Sequence, residues 1–575
     1  MVKYPIEYLR HSLAHLLGAA VLELHPGSKL AIGPAIDDGF YYDIDVAGVI
    51  SDNDLPKIEE KMREILKTWK TFEGREVPAS EAKDLFHDNP YKKEIIDELA
   101  DKREKITLYT SGNFTDLCRG GHVESARDIK PDTFKLSRVA GAYWRGSEKN
   151  PQLTRIYGWA FNSKKELEEY IAMLEEAKKR DHRILGPQLE IFMFHHTAPG
   201  MPYWLPKGVI LYNELVNFWR KEHAEREYQE IVSPLLNKKE LYVTSGHYDH
   251  YWGDMFVVKT PDGEEYGLKA MNCPNAMTVF GMRPRSYRGL PFRLSDTDAL
   301  HRNELSGTLN GLLRVREFRQ DDAHIFVTED QIEDEYRRVF DIVERFYSIF
   351  NMPYRFRLST RPENFLGDPQ TWDKAEKILH KILEQSGKTF VTGYGEGAFY
   401  GPKADILMKD ALGREWQMGT VQLDFQQPKR FNLEYIDSDG KIKTPVAIHR
   451  VIYGSLERFI GILIEHYAGA FPLWLSPVQA TVLPISDKQN GWAEKVYEEL
   501  KTEGVRVEIN KNNETLGKKI REAEMQKIPY LLIVGEKEVE AKTVALRQRG
   551  KGDVGQMKLK EFTEKIKKEV ETKKS

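Results

Sequence analysis

A run of charge alternating in sign, SKKELEEYIAMLEEAKKRDHRILG at 163–186, constrains the fold more than any other stretch. Its acidic and basic residues recur at helical spacing, so it predicts a long helix with little apolar face to bury. Such a helix does not belong inside a core. It predicts a solvated connector, punctuated at its end by Gly186 and Pro187, that divides the chain. At 575 residues the chain also exceeds what one core serves, and three or four domains are expected.

Several function classes drop out on composition. The two cysteines, Cys118 and Cys273, make no disulfide framework and fit a reducing compartment. The most apolar stretch, Phe459 to Leu475, is interrupted by Glu465 and His466 and reads as a core helix rather than a membrane span. The first residues include Lys3, Glu7, Arg10 and His11, with no clean apolar core for a signal peptide, so a cytoplasmic location is expected. The formal net charge is −4, unevenly spread: from Pro477 onward 21 basic residues face 17 acidic ones, leaving that segment near +4 and the remainder near −8. A basic end on an acidic body suits a polyanionic partner, although most mildly basic domains bind no nucleic acid.

On either side of the connector the patterning differs. Residues 6–24 have helical apolar spacing, FYYDIDV alternates like a strand, Pro56 to Trp69 and Glu94 to Glu104 read as helices, and ITLYTSG as a strand. This predicts an α+β domain over 1–126, with two more strand patches at 133–140 and 153–160 in a remainder, 127–186, that includes the connector. Over 187–476 the strands FRLSDT, DAHIFVT, YRFRLST, DILMKD and WQMGTVQLDF lie between long helices without βαβ alternation, which predicts an antiparallel sheet. Over 477–575 strands and helices alternate, predicting a compact α/β unit with a mostly parallel sheet.

His11 and His15 are four apart on the first helix and share a face. Cys118 and His122 have the same spacing in the turn TDLCRGGH. Together they are a possible metal quartet, two unrelated pairs, or a metal-free hydrolytic pocket whose imidazoles and thiol position water. In the central segment HRNE (301–304) is followed by SGTLNG and the arginine-rich RVREFRQDDAHIF. Guanidinium groups on strands suit phosphate, though around a hairpin they are more often solvated surface. Arg458 opens an otherwise apolar helix and must snorkel, pair with Glu457 or serve a ligand. No spacing rule connects Cys273, His324 and His449.

Three of these segments together resemble the signatures of class II aminoacyl-tRNA synthetases. The proline of IVSPLL, Pro234, fits the first, HRNE with its hairpin the second, and YGSLERF the third. The strings MNCPNA, VREFRQDDAHIF, FYGPKADI, WQMGTVQLDF and AIHRVIYGSLERF look specifically like the threonyl-tRNA synthetases, as do HSLAH and DLCRGGH of that family's editing domain. The resemblance covers nearly the whole chain. It implies an editing domain, a class II antiparallel-sheet catalytic domain and a C-terminal anticodon-binding domain, acting as a homodimer on ATP, L-threonine and tRNA.

Position by position, the resemblance implies that Cys273, His324 and His449 hold one zinc, completed in this family by the amino and hydroxyl groups of threonine. Arg302 matches the α-phosphate clamp, Glu304 a position near adenine, and Arg314 and Arg458 the holders of the other phosphates, with magnesium. Gln320, Asp322, Tyr400, Lys403, Gln417 and Gln422 match positions around the aminoacyl-adenylate, and His247 a histidine implicated in transfer to the tRNA ribose. His11, His15, Lys92, Asp116, Cys118 and His122 match editing positions, in a pocket expected to work without metal. Asn513, Glu538 and Arg547 match positions that read anticodon bases. Two departures stand out. Asn275 and Ala276 replace the Gly-His usual after Cys-Pro, and the chain begins almost at the editing helix, without the small N-terminal domain many relatives carry.

The pairing of two sites has a physical logic. One missing methyl is worth only about 1–3 kcal/mol, so serine evades a threonine pocket, whereas valine lacks the hydroxyl altogether and is rejected more strongly. Two rival readings make different demands on the sequence. A non-catalytic RNA-binding regulator predicts damaged phosphate clamps, yet Arg302 and Arg458 are present. A metallohydrolase centred on HSLAH predicts a glutamate inside the motif, where Ser12, Leu13 and Ala14 stand.

Overall fold

The charged run folds as two helices, Lys164–Arg180 and His182–Gln188. Asp181 separates them, its side chain accepting from the Arg183 backbone N–H at 2.8 Å as an N-cap. Only Leu167 is buried along the first helix, as its charge pattern demands. The computed structural model describes residues 4–573 and divides into two units, Met1–Glu176 and Ala177–Ser575, with the boundary inside that first helix.

The first unit is α+β. Helix α1 (Ile6–Leu24) buries Leu9, Leu13, Leu16, Leu17 and Ala20 at helical spacing and packs on β1 (Gly39–Asp45) in one core with α2 (Leu55–Thr68). Helix α3 (Pro90–Asp101) is capped by Asn89, whose side chain accepts from Tyr91 and Lys92. A hairpin of β2 (Thr107–Ser111) and β3 (Phe114–Leu117) then pairs with Glu73–Glu76. Strands β4 (Phe134–Tyr143) and β5 (Gln152–Ala160) join β1 in the larger sheet, in the order Lys29–Leu30, β1, β5, β4. That sheet takes strands from both sides of residue 126, so the fold has no break there. Sequence spacing does not reveal which distant strands pair.

Helix α4 (Lys164–Arg180) leads into α5 (His182–Gln188) and α6 (Pro206–Ala224) of the second unit. Beyond α7 (Cys273–Phe280) come β6 (Phe292–Asp296), a small ribbon of β7 (Ala299–His301) and β8 (Glu317–Arg319), and β9 (Asp322–Val327). Helix α8 (Ile332–Ile349) is followed by β10 (Tyr354–Ser359), β11 (Phe390–Gly393), β12 (Lys403–Lys409), β13 (Glu415–Asp424), β14 (Val446–Val451) and α9 (Leu456–His466). They form an eight-stranded sheet in the order Gln229–Glu230, β6, β9, β14, β13, β12, β10, β11. Its pairings are antiparallel except the outermost two. The polar run RVREFRQDDAHIF is therefore two strands, β8 in the ribbon and β9 in the sheet. The apolar run Phe459–Leu475 is helical only to His466, and among the described residues no helix is long and apolar enough to cross a membrane.

The C-terminal segment holds β15 (Ala480–Pro484), α10 (Asn490–Thr502), β16 (Val507–Ile509), α11 (Leu516–Met525), β17 (Tyr530–Val534), α12 (Glu536–Ala541), β18 (Thr543–Gln548), β19 (Gly552–Lys558) and α13 (Leu559–Thr572). The sheet order is β16, β15, β17, β18, β19. The first three strands are parallel and the last two antiparallel, so the sheet is mixed rather than mostly parallel. The difference lies in β18, which runs antiparallel to β17, and in β19, whose GDVGQMK lacks the apolar alternation that marks a strand.

Candidate active sites

Register builds the first site. Leu294, His324, His449, Gln422 and Lys403 are Cα partners across β6, β9, β14, β13 and β12. Residues in register share a face, so one row presents two imidazoles, an amide and an ammonium together. Cys273, the first residue of α7, completes a cluster in which the ligand atoms of Cys273, His324 and His449 all lie within 4.8 Å of one another. The three residues that no spacing rule connects are joined by sheet register and one helix N-terminus.

The cluster fits a zinc ion. His449 Nε2 donates to Asp424 Oδ2 at 2.9 Å, leaving its other nitrogen for a metal. Asp424 is fully buried, and its Oδ1 accepts from the backbone N–H groups of Gln426 and Gln427 at 2.7 and 3.0 Å, so the carboxylate is locked. His324 Nδ1 is buried without a partner among the described residues. Burial, then the charge of His449, pulls the His324 pKa well down and keeps its imidazole neutral, as a ligand must be. Burial pushes the Cys273 thiol well up, a shift that a bound dication reverses. A cavity of about 120 Å³ adjoins the cluster, lined also by Arg302, Gln320, Asp322, Tyr400, Thr420 and Gln422. His247 stands nearby, Nε2 at 3.8 Å from Cys273 Sγ and Nδ1 at 2.8 Å from Ser245 Oγ. Its pKa is pulled down to about 3, chiefly by burial.

The arginines are not equivalent. Arg302 lies over the rings of Tyr251 and Phe318, 5.5 and 5.0 Å from their centroids, and pairs with no carboxylate among the described residues. Arg314 holds Glu304 at 2.8 Å. Arg458 does not pair with Glu457. That carboxylate instead accepts from the Arg319 backbone N–H at 2.9 Å and from Ser455 Oγ at 3.1 Å. Arg458 Nε is buried without a partner among the described residues. On the far side of the sheet row Lys403 and Gln417 both reach Asp405 Oδ1, at 3.0 and 2.9 Å, and Tyr400 donates to Gln422. At the departure from the family pattern, Asn275 Nδ2 donates to Asn237 Oδ1 at 3.2 Å, while Ala276 is core.

The second site lies in the first unit. The α1 spacing brings the His11 and His15 rings to 5.2 Å, and DLCRGGH folds back onto them. Gly120 and Gly121 adopt φ of 95° and 85°, conformations open to glycine, which lets His122 return beside Cys118. Cys118 Sγ is 3.4 Å from His11 Nε2 and 3.2 Å from His122 Nε2, and it accepts from the Gly120 N–H at 3.2 Å. Ser12 Oγ, inside the HxxxH segment, lies 3.2 Å from His122 Nδ1. Lys92 Nζ holds Asp116 Oδ1 at 2.5 Å, and His15 Nε2 is 3.8 Å from Asp116 Oδ2. Burial pulls the pKa values of His11, His15 and His122 down and pushes the Cys118 thiol up to about 12. The cavity above holds about 740 Å³, lined also by Tyr8, Tyr143, Arg145 and Arg155.

Two residues that sequence reasoning missed carry these sites. Asp424 orients His449, and Tyr42, in the alternating strand β1, donates its hydroxyl to Asp116. Neither belongs to a motif of its own. The three C-terminal positions have different settings. Asn513 is exposed in the loop before α11. Glu538 accepts from the Gly535 N–H at 2.9 Å and from Gln556. Arg547 has a buried Nε without a partner and lines a cavity of about 320 Å³.

Comparison with known proteins accounts for this arrangement. Residues 256–467 match the family described as tRNA synthetase class II core domain (G, H, P, S and T), 479–569 the anticodon binding domain, and 106–157 the threonyl and alanyl tRNA synthetase second additional domain. The fold is that of a class II aminoacyl-tRNA synthetase. The threonine--tRNA ligase of Thermotoga neapolitana is 50% identical over 572 residues, covering 99% of this chain and 89% of that one. That of Caldanaerobacter subterraneus is 51% identical over 565, covering 98% and 87%. A crystal structure titled as the RNA binding domain of threonyl-tRNA synthetase from Cryptosporidium parvum matches with a TM-score of 0.66 and 43% identity, over 68% of this chain and 98% of that one. The chain belongs to the threonine--tRNA ligase family.

Proposed function

We propose that the chain joins L-threonine to tRNA in two steps, the first driven by ATP, and that its first unit hydrolyses tRNA mischarged with serine. The observation that carries the reading is the sheet row with Cys273: donors for one zinc beside a cavity that an unpaired arginine, Arg302, also lines. Cys273, His324 and His449 would hold the zinc. When bound, it supplies Lewis acidity and an open position that favours a substrate bearing both amino and hydroxyl groups.

The chain's own residues do the rest. Gln320, Asp322, Tyr400 and Gln422 line the amino-acid cavity, with Lys403 and Gln417 braced on Asp405 behind it. The threonine carboxylate attacks the α-phosphorus of ATP, forming the acyl phosphate bond as the bond to pyrophosphate breaks. Arg302 neutralises charge at that phosphorus, and Arg314 and Arg458, with magnesium, hold the departing phosphates. A phosphate competes with Glu304 for Arg314, freeing Glu304 toward the adenine. In the second step the ribose hydroxyl of the terminal adenosine takes the threonyl group and AMP leaves. His247, neutral at physiological pH, orients that hydroxyl. Asn513, Glu538 and Arg547 read the anticodon, residues 187–476 being catalytic and 477–575 anticodon-binding. A homodimer joined near Pro234, working in the cytoplasm, completes the proposal.

Amino-acid-dependent pyrophosphate exchange tests it. Threonine is expected to support exchange, serine more weakly and valine hardly at all. Exchange with none of the three, or equal exchange with valine, overturns the reading.

The ligand atoms of His11, His15, Cys118 and His122 also lie within 4.8 Å of one another, which favours a second reading with a metal there. Against it, a closed four-ligand zinc is structural and leaves no position for a water nucleophile. We therefore expect one tightly bound zinc per chain, lost in Cys273→Ala and retained in Cys118→Ala, as read by metal analysis of the purified proteins. Two zincs in the wild type, with one lost in each variant, establishes the second reading instead.

A further inference from the structure

Helix α5 opens on a histidine that the proposed chemistry does not use. His182 is 1% exposed. Its Nδ1 donates to Glu465 Oε1 at 2.6 Å, which leaves Nε2 as an acceptor, and Nε2 takes the Leu312 backbone N–H at 3.0 Å. The other oxygen of Glu465 is held by Arg414. Asp181, His182 and Glu465 cluster as metal donors can, but both imidazole nitrogens are already engaged, so no lone pair of His182 remains for a cation.

The ring is a wedge between two arms of the proposed ATP site. Gly311 has φ +49°, and a Cβ there would lie 2.2 Å from His182 Nε2. A Cβ on Gly461 would lie 3.5 Å from His182 Cδ2. Gly311 opens the turn Gly311–Leu313, which runs directly into Arg314. Gly461 and Glu465 belong to α9, whose first turn carries Arg458. Gly311 admits the imidazole, Gly461 lies at ordinary contact distance from it, and a hydrogen bond to each arm ties them together. Burial, then the charge of Arg314, pulls the Arg458 pKa down, so the two guanidinium groups lie within electrostatic reach of each other.

We infer that His182 is a positioning residue for ATP, setting the spacing of Arg314 and Arg458 by holding the Leu312 N–H and Glu465 on either side of its ring. The inference rests on the reading of those two arginines as phosphate ligands.

Pyrophosphate exchange, measured at varied ATP and separately at varied threonine, tests it. Breaking a buried two-sided hydrogen bond in His182→Ala is expected to raise KM for ATP about tenfold, with KM for threonine held within about twofold. His182→Gln, whose amide can still accept from Leu312, is expected to recover most of the loss. His182→Phe fills the slot but makes neither bond, so it should not recover it. If the alanine variant fails to fold, the comparison of Gln with Phe decides alone. A parallel rise in both KM values, a loss that merely follows the folded fraction in thermal melting, or a Phe variant equal to Gln overturns the inference. Arg314→Ala run alongside separates the two levels. If it leaves KM for ATP unchanged, the phosphate reading itself fails. If it raises KM for ATP and the His182 variants do not, only the role of His182 fails.

Discussion

Arg302→Ala is expected to slow threonyl-adenylate formation by about 10²–10³-fold, the usual loss when one preorganised donor to developing charge is removed. The structure explains why this arginine and not its neighbours should show the largest effect. Arg314 is paired with Glu304. Among the described residues, the Arg302 guanidinium has only the Ala270 carbonyl at 3.4 Å and two aromatic faces. An arginine held by rings keeps its planar fork oriented while its charge stays unneutralised, which is what a pentavalent phosphorus needs. The same reasoning makes Arg302→Lys a poor substitute, because a point charge on a flexible stem does not reproduce the bidentate geometry. Folding should survive, since each cation–π contact of this half-buried arginine contributes only about 0.5–2 kcal/mol. Single-turnover adenylate formation with saturating threonine and ATP is the measurement. Near-normal rates in a folded Arg302→Ala protein remove the phosphate-clamp assignment.

What the sequence disclosed follows from the range of the physics involved. Local periodicity marked α1, the connector and the long strands, because helical and strand spacing is written within a few residues. Short elements escaped: α12 is six residues, and β14 is buried along all six of its residues, so nothing in its pattern alternates. Sites split the same way. His11 with His15, and Cys118 with His122, announce themselves by four-residue spacing. Cys273, His324 and His449 do not, since what joins them is register between β9 and β14 and the placement of α7, and resemblance alone brought them together. Arg458 shows a local rule failing in an informative way. The adjacent Glu457 invited an ion pair, yet in the fold that carboxylate accepts from the last residue of β8 and from Ser455 and does not pair with the guanidinium. His182 and Asp424 act on other protein groups rather than on substrate, so their residue type carried no chemical signature until the partners were known.

His11→Ala and Cys118→Ala are each expected to leave threonine activation unchanged and to slow deacylation of preformed seryl-tRNA by about 10²–10⁴-fold, the usual contribution of a positioned proton-transfer or orienting group. Activation should be untouched because the two sites belong to different units of the chain. The protonation states decide what the residues do. With its pKa pushed up to about 12, Cys118 is a neutral thiol at physiological pH and a poor nucleophile. Its place between His11 and His122 makes it an orienting donor, so Cys118→Ser should retain part of the rate where Cys118→Ala does not. The imidazoles are held neutral by burial, with pKa values below the ordinary 6.5, and both nitrogens of His122 are already engaged, by Ser12 Oγ and Cys118 Sγ. Since raised thiol and lowered imidazole pKa values both lie outside pH 6.5–8.5, deacylation should show no inflection from these groups in that window. Lys92 and Tyr42 fix Asp116 from either side, so the carboxylate cannot swing to neutralise the pocket. A normal rate of seryl-tRNA hydrolysis in both alanine variants ends the editing assignment. A thiolate-like rise in rate with pH, abolished by Cys118→Ser, replaces the orienting role with a nucleophilic one.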